Sequence, residues 1–269
     1  MPELAKQDGN TELWYTVFAE GHPVLATKQR RYSMLPGSPR CKLCEAPFGG
    51  VGGWLMRRTG LHVSNRNPHY CNKCDGFLAA FPGGAEVPMA MMMIDIRNSV
   101  ELSAKTSPKD FARLVMAMRT DVHELLDKTD GFVLEYQGDS VFAVWPPGFV
   151  NGQHCQKAIE AAELAARRAS QPSHLMADIG VAVHTGTVYI GTVADVAGNM
   201  SGISAFGYEV NLLARLAHAA RPGEVLVSTA TYAAAGRPLP TQPRVFDGLK
   251  GIETPVQAIS LGQPAMTIA

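Results

Sequence analysis

Residues 131–145 read GFVLEYQGDSVFAVW, and the fold is decided there. The stretch reads as two short strands joined at the turn Gln137-Gly138-Asp139-Ser140. Val133 and the run Val141-Phe142-Ala143-Val144-Trp145 have the β-branched and aromatic character of sheet core. A carboxylate at the tip of a tight, buried hairpin is unfavourable unless something offsets its desolvation, and a bound cation is the usual answer. Upstream, Met91-Met92-Met93-Ile94-Asp95-Ile96 repeats the pattern, an apolar strand ending in a lone acid. Two strand-end acids in one sheet can converge on divalent ions.

Working outward, the 269-residue chain is long enough for one or two cores, and one domain plus an accessory piece is expected. Its formal net charge is zero and its pI is near 7.1, so no bulk field draws it to nucleic acid or to an anionic membrane. The start, MPELAKQDGN, lacks the basic and apolar regions of a signal peptide. No apolar run approaches the ~20 residues of a membrane span. Four of the five cysteines form two C-x-x-C pairs, which fits a reducing compartment better than a disulfide framework. A cytoplasmic protein is expected.

Residues 1–35 form an N-terminal segment of little periodicity, loose over its first ten residues, with Trp14–Phe18 a short strand or helix. Next come Cys41-Lys-Leu-Cys44 and, after 26 residues, Cys71-Asn-Lys-Cys74. Each pair can occupy one knuckle turn, and four thiolates suit tetrahedral coordination of a structural zinc ion. The same ligands would serve an iron–sulfur cluster. The insert holds turn-rich spacers at Phe48–Gly53 and Asn65–Pro68. This zinc-ribbon-like module, residues 36–84, reads as structural or protein-binding.

From 85 to 269 the pattern becomes regular. A strand over 88–96 leads through the Arg97-Asn98-Ser99 loop to Ser107-Pro108, an N-cap followed by proline at N1. The helix that follows reaches about Lys128, with Phe111, Leu114, Val115, Met118, Val122, Leu125 and Leu126 on its apolar face. After the hairpin come a helix over roughly 153–170, a strand over 177–184, a turn at His184-Thr185-Gly186 and a strand over 188–193. A small, polar linker spans 194–202. Then follow a helix over 210–220, a strand over 224–228, a short helix from Thr229, and strands near 245–246 and 256–261. The fold class is α+β, a mixed sheet with helices on one face.

Residues 86–262 resemble the catalytic domain of the class III adenylyl/guanylyl cyclases, on the motifs MIDIRNS (93–99), EYQGDSVFAVW (135–145), GVAVHTG (180–186), FGYEVNLLARL (206–216) and GLKG (248–251). The resemblance implies a ferredoxin-like palm and a head-to-tail homodimer with two shared active sites. It implies in-line attack of a ribose 3′-OH on the α-phosphorus of a nucleoside triphosphate, with pyrophosphate leaving. Asp95, Asp139 and the Ile96 carbonyl match the family's ligands for two Mg²⁺ or Mn²⁺ ions. Asn211 and Arg215, i and i+4 on one helix, match the pair that orients the ribose and stabilises charge at the α-phosphate. Lys250 matches the triphosphate-binding lysine, and backbone N–H groups of Arg97, Asn98 and Ser99 would cradle the terminal phosphates. Thr187 and Tyr208 depart from the arginine and the acid often found at those positions, which leaves the phosphate and base contacts open to change. His184 is read as structural.

The resemblance places the base-reading positions at Glu135 and Ser204, where adenylyl cyclases carry lysine and aspartate. A carboxylate repels the acceptor N1 of adenine, so ATP is disfavoured. Guanine offers N1–H and N2–H to Glu135. Uracil offers one ring N–H, with Tyr136 or Tyr208 available to close the smaller pocket. A cyclase fronted by a cysteine module, without a PAS, GAF or transmembrane receptor, also resembles the pyrimidine cyclases of bacterial Pycsar anti-phage systems. These make cyclic UMP or cyclic CMP for a downstream effector. The expected product is therefore a cyclic pyrimidine nucleotide, with cyclic GMP the alternative. Other readings are a degenerate cyclase acting as a binding module and a zinc ribbon using Arg57, Arg58 and Arg66 on nucleic acid.

Overall fold

The computed structural model describes residues 10–171, 179–194 and 200–261, with backbone alone at 194, 200 and 201. The expected loose start, the first residues of the 177–184 strand and most of the 194–202 linker lie outside the described residues. The chain divides into two compact units. One comprises residues 1–87, 147–152 and 189–205; the other comprises 88–146, 153–188 and 206–269.

In the first unit, α1 (Thr11–Tyr15) runs into a π-helical turn (Thr16–Glu20), and α2 (Pro23–Ser33) follows. Trp14 stacks on Phe18 at 5.3 Å and Phe18 on Phe149 at 5.3 Å, while the Trp14 indole N–H donates to the Phe81 carbonyl at 3.0 Å. Of the 1–35 segment, residues 11–20 and 23–33 are thus helical, anchored by aromatic burial. The glycine-rich stretch expected as a turn is instead helix α3 (Gly50–Arg58), packed through Gly52, Gly53 and Met56. Helix α4 (Asn72–Ala80) begins at the second cysteine pair.

The second unit is built on a sheet that carries the expected hairpin. Strand β1 (Gly84–Ile96) is followed by a short helix α5 (Ser99–Lys105), unforeseen in the 97–107 loop. Helix α6 (Pro108–Lys128) starts as expected, the Ser107 hydroxyl accepting from the Asp110 N–H at 3.2 Å. It buries Val115, Met118, Val122, Leu125 and Leu126. Strands β2 (Phe132–Gln137) and β3 (Ser140–Trp145) form the hairpin, and α7 (His154–Ala169) follows. The two strands expected at 177–193 are one long strand, β4 (Ile179–Ala194), running straight through His184-Thr185-Gly186. Turn-like composition loses here to continuous pairing and to a side-chain clamp described below. Strand β5 (Met200–Phe206) falls in the first unit except for Phe206, and the rest of the second unit comprises α8 (Tyr208–Ala219), β6 (Val225–Ser228), α9 (Thr229–Ala234), β7 (Arg244–Phe246) and β8 (Val256–Leu261).

Strand order is β2-β3-β1-β4-β6-β8-β7, with β5 paired to β4. Strands β2, β3 and β1 are antiparallel, β4 and β6 are parallel, and β8 is antiparallel to both β6 and β7. Helices α6 and α7 pack on each other and on the sheet. Met91, Met92 and Ile94 of β1, Trp145 of β3, Met118 and Leu125 of α6 and Ile159 of α7 are fully buried. The Trp145 indole donates to the Thr129 carbonyl at 2.8 Å, fixing the end of the hairpin to the end of α6. No helix among the described residues is long and apolar enough to cross a membrane.

Candidate active site and cysteine centre

The register of β1 against β3 sets Asp95 opposite Ser140, so the strand-end acid lies beside the turn that holds Asp139. The Ser140 hydroxyl donates to Asp95 Oδ1 at 3.3 Å, and Arg97 forms an ion pair with Asp95 Oδ2. Burial raises the Asp95 pKa above its ordinary value, opposed by the Arg97 charge and reinforced by the Asp139 charge. Asp139 Oδ2 is buried and has no hydrogen-bond partner. Two mutually repelling carboxylates, one with an orphaned buried oxygen, form a hard-oxygen donor set suited to Mg²⁺ or Mn²⁺. The Arg97 guanidinium also donates to the carbonyls of His218 at 2.9 Å and Ala220 at 3.4 Å, its Nε remaining buried and unpartnered. Asn98 is left-handed, with φ 54°, and caps α5, whose first residue is Ser99.

Helix α6 steadies the hairpin tip, Arg119 donating to the Gly138 carbonyl at 2.6 Å and lying 4.7 Å above the Tyr136 ring. Neighbouring strand residues face opposite sides. Tyr136 is therefore spent on α6, away from the face of half-buried Glu135, which accepts from the Gln137 amide. Tyr208, the other aromatic candidate, is half exposed in the first turn of α8. Ser204 is 5% exposed in β5, within the first unit.

Asn211 and Arg215 are both exposed on α8. The start of this helix is held by a contact that sequence reasoning missed. His184 Nε2 meets Glu209 Oε2 at 2.6 Å, while His184 Nδ1 meets the Ser228 hydroxyl at 2.8 Å. A Cβ at Gly186 would fall 2.4 Å from the Glu209 side chain, so only glycine leaves room for this clamp. The signal was present in HTG and GYEVN, but the pairing needs β4 and α8 side by side. Lys250 is exposed in the turn before β8.

In the first unit, the four sulfurs of Cys41, Cys44, Cys71 and Cys74 lie within 4.8 Å of one another and all four residues are buried. The Cys71 N–H donates to Cys41 Sγ at 3.3 Å and the Cys74 N–H to Cys71 Sγ at 3.4 Å, as knuckle turns dispose them. Hydrogen bonds with Cys41, Cys44 and Cys74 pull the Cys71 thiol down, while those with Cys41, Cys44 and Cys71 push Cys74 up. Four such thiols can all ionise only with a cation among them, which fits zinc. Arg66 is engaged by Asp75 at 2.9 Å, Arg57 donates to the Phe48 carbonyl at 2.8 Å and Arg58 lies 4.0 Å over Trp54.

This sheet and its helices have the fold of the class III nucleotidyl cyclase catalytic domains. A family model for the adenylate and guanylate cyclase catalytic domain matches residues 85–244, and the chain belongs to that family. It is 32% identical over 158 residues to an uncharacterised protein of Mycobacterium tuberculosis, covering 57% of this chain and 28% of that one. It is 29% identical over 138 residues to adenylate cyclase 1 of Rhizobium meliloti, covering 46% of this chain and 20% of that one. The chain thus spans about a quarter of the length of these relatives. Among solved structures, the adenylyl cyclase CyaB from P. aeruginosa aligns with TM-score 0.58 at 20% identity, over 69% of this chain and 99% of that one. The guanylate cyclase domain of RhGC from Catenaria anguillulae, in complex with GTP, aligns with TM-score 0.57 at 20% identity, over 66% and 98%.

Proposed function

We propose that the chain converts a nucleoside triphosphate, UTP or CTP by preference, to its 3′,5′-cyclic nucleotide and pyrophosphate. The observation carrying this reading is the convergence of Asp95 and Asp139, one oxygen of Asp139 buried and unpartnered. Two Mg²⁺ or Mn²⁺ ions held by Asp95, Asp139 and the Ile96 carbonyl would supply activation of the ribose 3′-OH and neutralisation of phosphoryl charge. Asn211 orients the ribose, and Arg215 stabilises charge developing at the α-phosphate. Lys250 and the backbone N–H groups of Arg97, Asn98 and Ser99 hold the triphosphate; the Arg97 side chain is engaged elsewhere. Glu135 accepts a proton donor of the base and Ser204 donates to its carbonyl, which disfavours adenine.

One observation favours a second reading. With Tyr136 drawn onto Arg119, less remains to narrow the pocket around a pyrimidine, so guanine and a cyclic GMP product become the alternative. Exposure of Asn211 and Arg215 supports a homodimer in which each chain completes its partner's site. The four thiols hold structural zinc, and metal analysis should find one ion per chain. As a producer of cyclic UMP or cyclic CMP, the protein would serve as the signal generator of an anti-phage system, read by a separate effector.

The test is incubation with Mn²⁺ and each of ATP, GTP, CTP and UTP, with mass detection of the products. A cyclic UMP or cyclic CMP peak that vanishes in Asp139→Ala is expected. A dominant cyclic GMP peak would replace the pyrimidine reading with the guanine one, and no product from any nucleotide would sink the catalytic reading. The defence role predicts that wild type, and not Asp139→Ala, lowers phage plating efficiency; equal plating would remove it.

A further inference from the structure

The first unit holds a cavity of about 150 Å³ that the cyclase reading does not use. Val17 of the π-helical turn, Val24 and Leu25 of α2, Leu43 of the first cysteine knuckle and Phe77 of α4 supply its apolar wall. Val17 and Leu43 are almost fully buried, whereas Val24 is 57% exposed, so the cavity deepens inward from an open mouth. Its polar lining is His22, Lys28 and Lys73, with Cys74 beside Phe77; no carboxylate lines it. Lys28 is half-buried and Lys73 exposed at the rim, and neither forms an ion pair with a described residue.

Apolar walls with few, convergent polar groups are the signature of a small-molecule site, and here the charges are all of one sign. An unpaired cation beside a low-dielectric wall favours an anion. A purely inorganic anion would leave the wall wet, and a neutral hydrocarbon would leave both ammonium groups unmatched. The volume equals that of an apolar cavity able to hold benzene, which limits the buried part to about six carbons. A nucleotide is too large for it.

We propose that this cavity binds a small organic monocarboxylate, its carboxylate between Lys28 and Lys73 and its short aliphatic or aromatic body against Val17, Leu25, Leu43 and Phe77. The site gives the cysteine unit a ligand of its own, independent of nucleotide turnover.

Isothermal titration of the full-length, metal-loaded chain with hexanoate and benzoate tests the assignment, with hexanol and acetate as probes of tail and charge alone. Saturable one-to-one binding of hexanoate or benzoate is expected, at least tenfold tighter than hexanol or acetate. The double variant Lys28→Glu/Lys73→Glu should weaken it at least tenfold and Leu25→Trp should abolish it, with far-UV circular dichroism and metal content unchanged in both. Absence of saturable binding, equal affinity for hexanoate and hexanol, or unaltered affinity in the folded variants would overturn the proposal. Asp139→Ala should bind hexanoate as wild type does, so failure here leaves the cyclase reading standing, and the reverse holds too.

Discussion

A buried carboxylate oxygen without a partner, as at Asp139, destabilises the metal-free fold by roughly 1–3 kcal/mol. Its retention makes physical sense if a cation completes it. Asp139→Ala should therefore melt at the same temperature as wild type or higher in EDTA, while losing the rise in Tm that Mn²⁺ gives wild type. A lower melting point in EDTA together with an intact Mn²⁺ shift would show that Asp139 is a turn residue and not a ligand. Asp95 is held above its ordinary pKa, chiefly by burial, so it takes up its proton at a higher pH than an exposed aspartate. Mn²⁺ affinity, followed by the same Tm shift, should accordingly begin to fall above the usual carboxylate range as pH is lowered.

Elements decide whether those residues meet a substrate correctly. Helix α8 is registered against β4 by the Glu209–His184 contact, two residues before Asn211. Removing it in Glu209→Ala should lower kcat about tenfold to a hundredfold, the scale of a misplacement near 1 Å, and leave the Mn²⁺-induced Tm shift unchanged. An unaltered kcat would confine the clamp to stability. Strand β5 is braced from the cysteine module, for the buried Tyr70 hydroxyl meets the Ile203 backbone one residue before Ser204. Tyr70→Phe should cost about 1 kcal/mol of stability and alter KM among nucleotides more than kcat; identical KM values for UTP and GTP in both proteins would argue against the brace. Element-level errors of sequence reading have the same origin. His184-Thr185-Gly186 has turn composition, yet glycine is there to admit the Glu209 side chain. Helix α3 has a poor helical composition, yet a Cβ at Gly52 would lie 2.1 Å from the Pro36 carbonyl oxygen. In both places glycine marks close approach and not a bend.

At the scale of the whole molecule, the proposed dimer pairs carboxylates of one chain with Asn211 and Arg215 of the other. Each of Asp139→Ala and Asn211→Ala should be inactive alone, and their mixture should regain up to about a quarter of wild-type activity, from half of the chains forming heterodimers with one intact site. No recovery on mixing, with heterodimers present by native mass spectrometry, would count against shared sites. Family membership rests on residues 85–244 alone, so the cysteine unit is free to carry a separate role, as its cavity suggests.

The sequence by itself determined the hairpin, the limits of α6, the strand-end positions of Asp95 and Asp139 and the four-thiol grouping. Each of these is a local matter: strand alternation, a Ser-Pro helix start and C-x-x-C spacing all act over a few residues. Only the tertiary structure decided that β4 runs unbroken, that Arg97 turns back onto Asp95, that Tyr136 is claimed by Arg119 and that Glu209 clamps His184. Those outcomes depend on partners distant in sequence, Arg119 for Tyr136, His184 for Glu209 and the His218 and Ala220 carbonyls for Arg97, and the partner competing for a charge or a ring is set by which elements become neighbours, which no local pattern encodes.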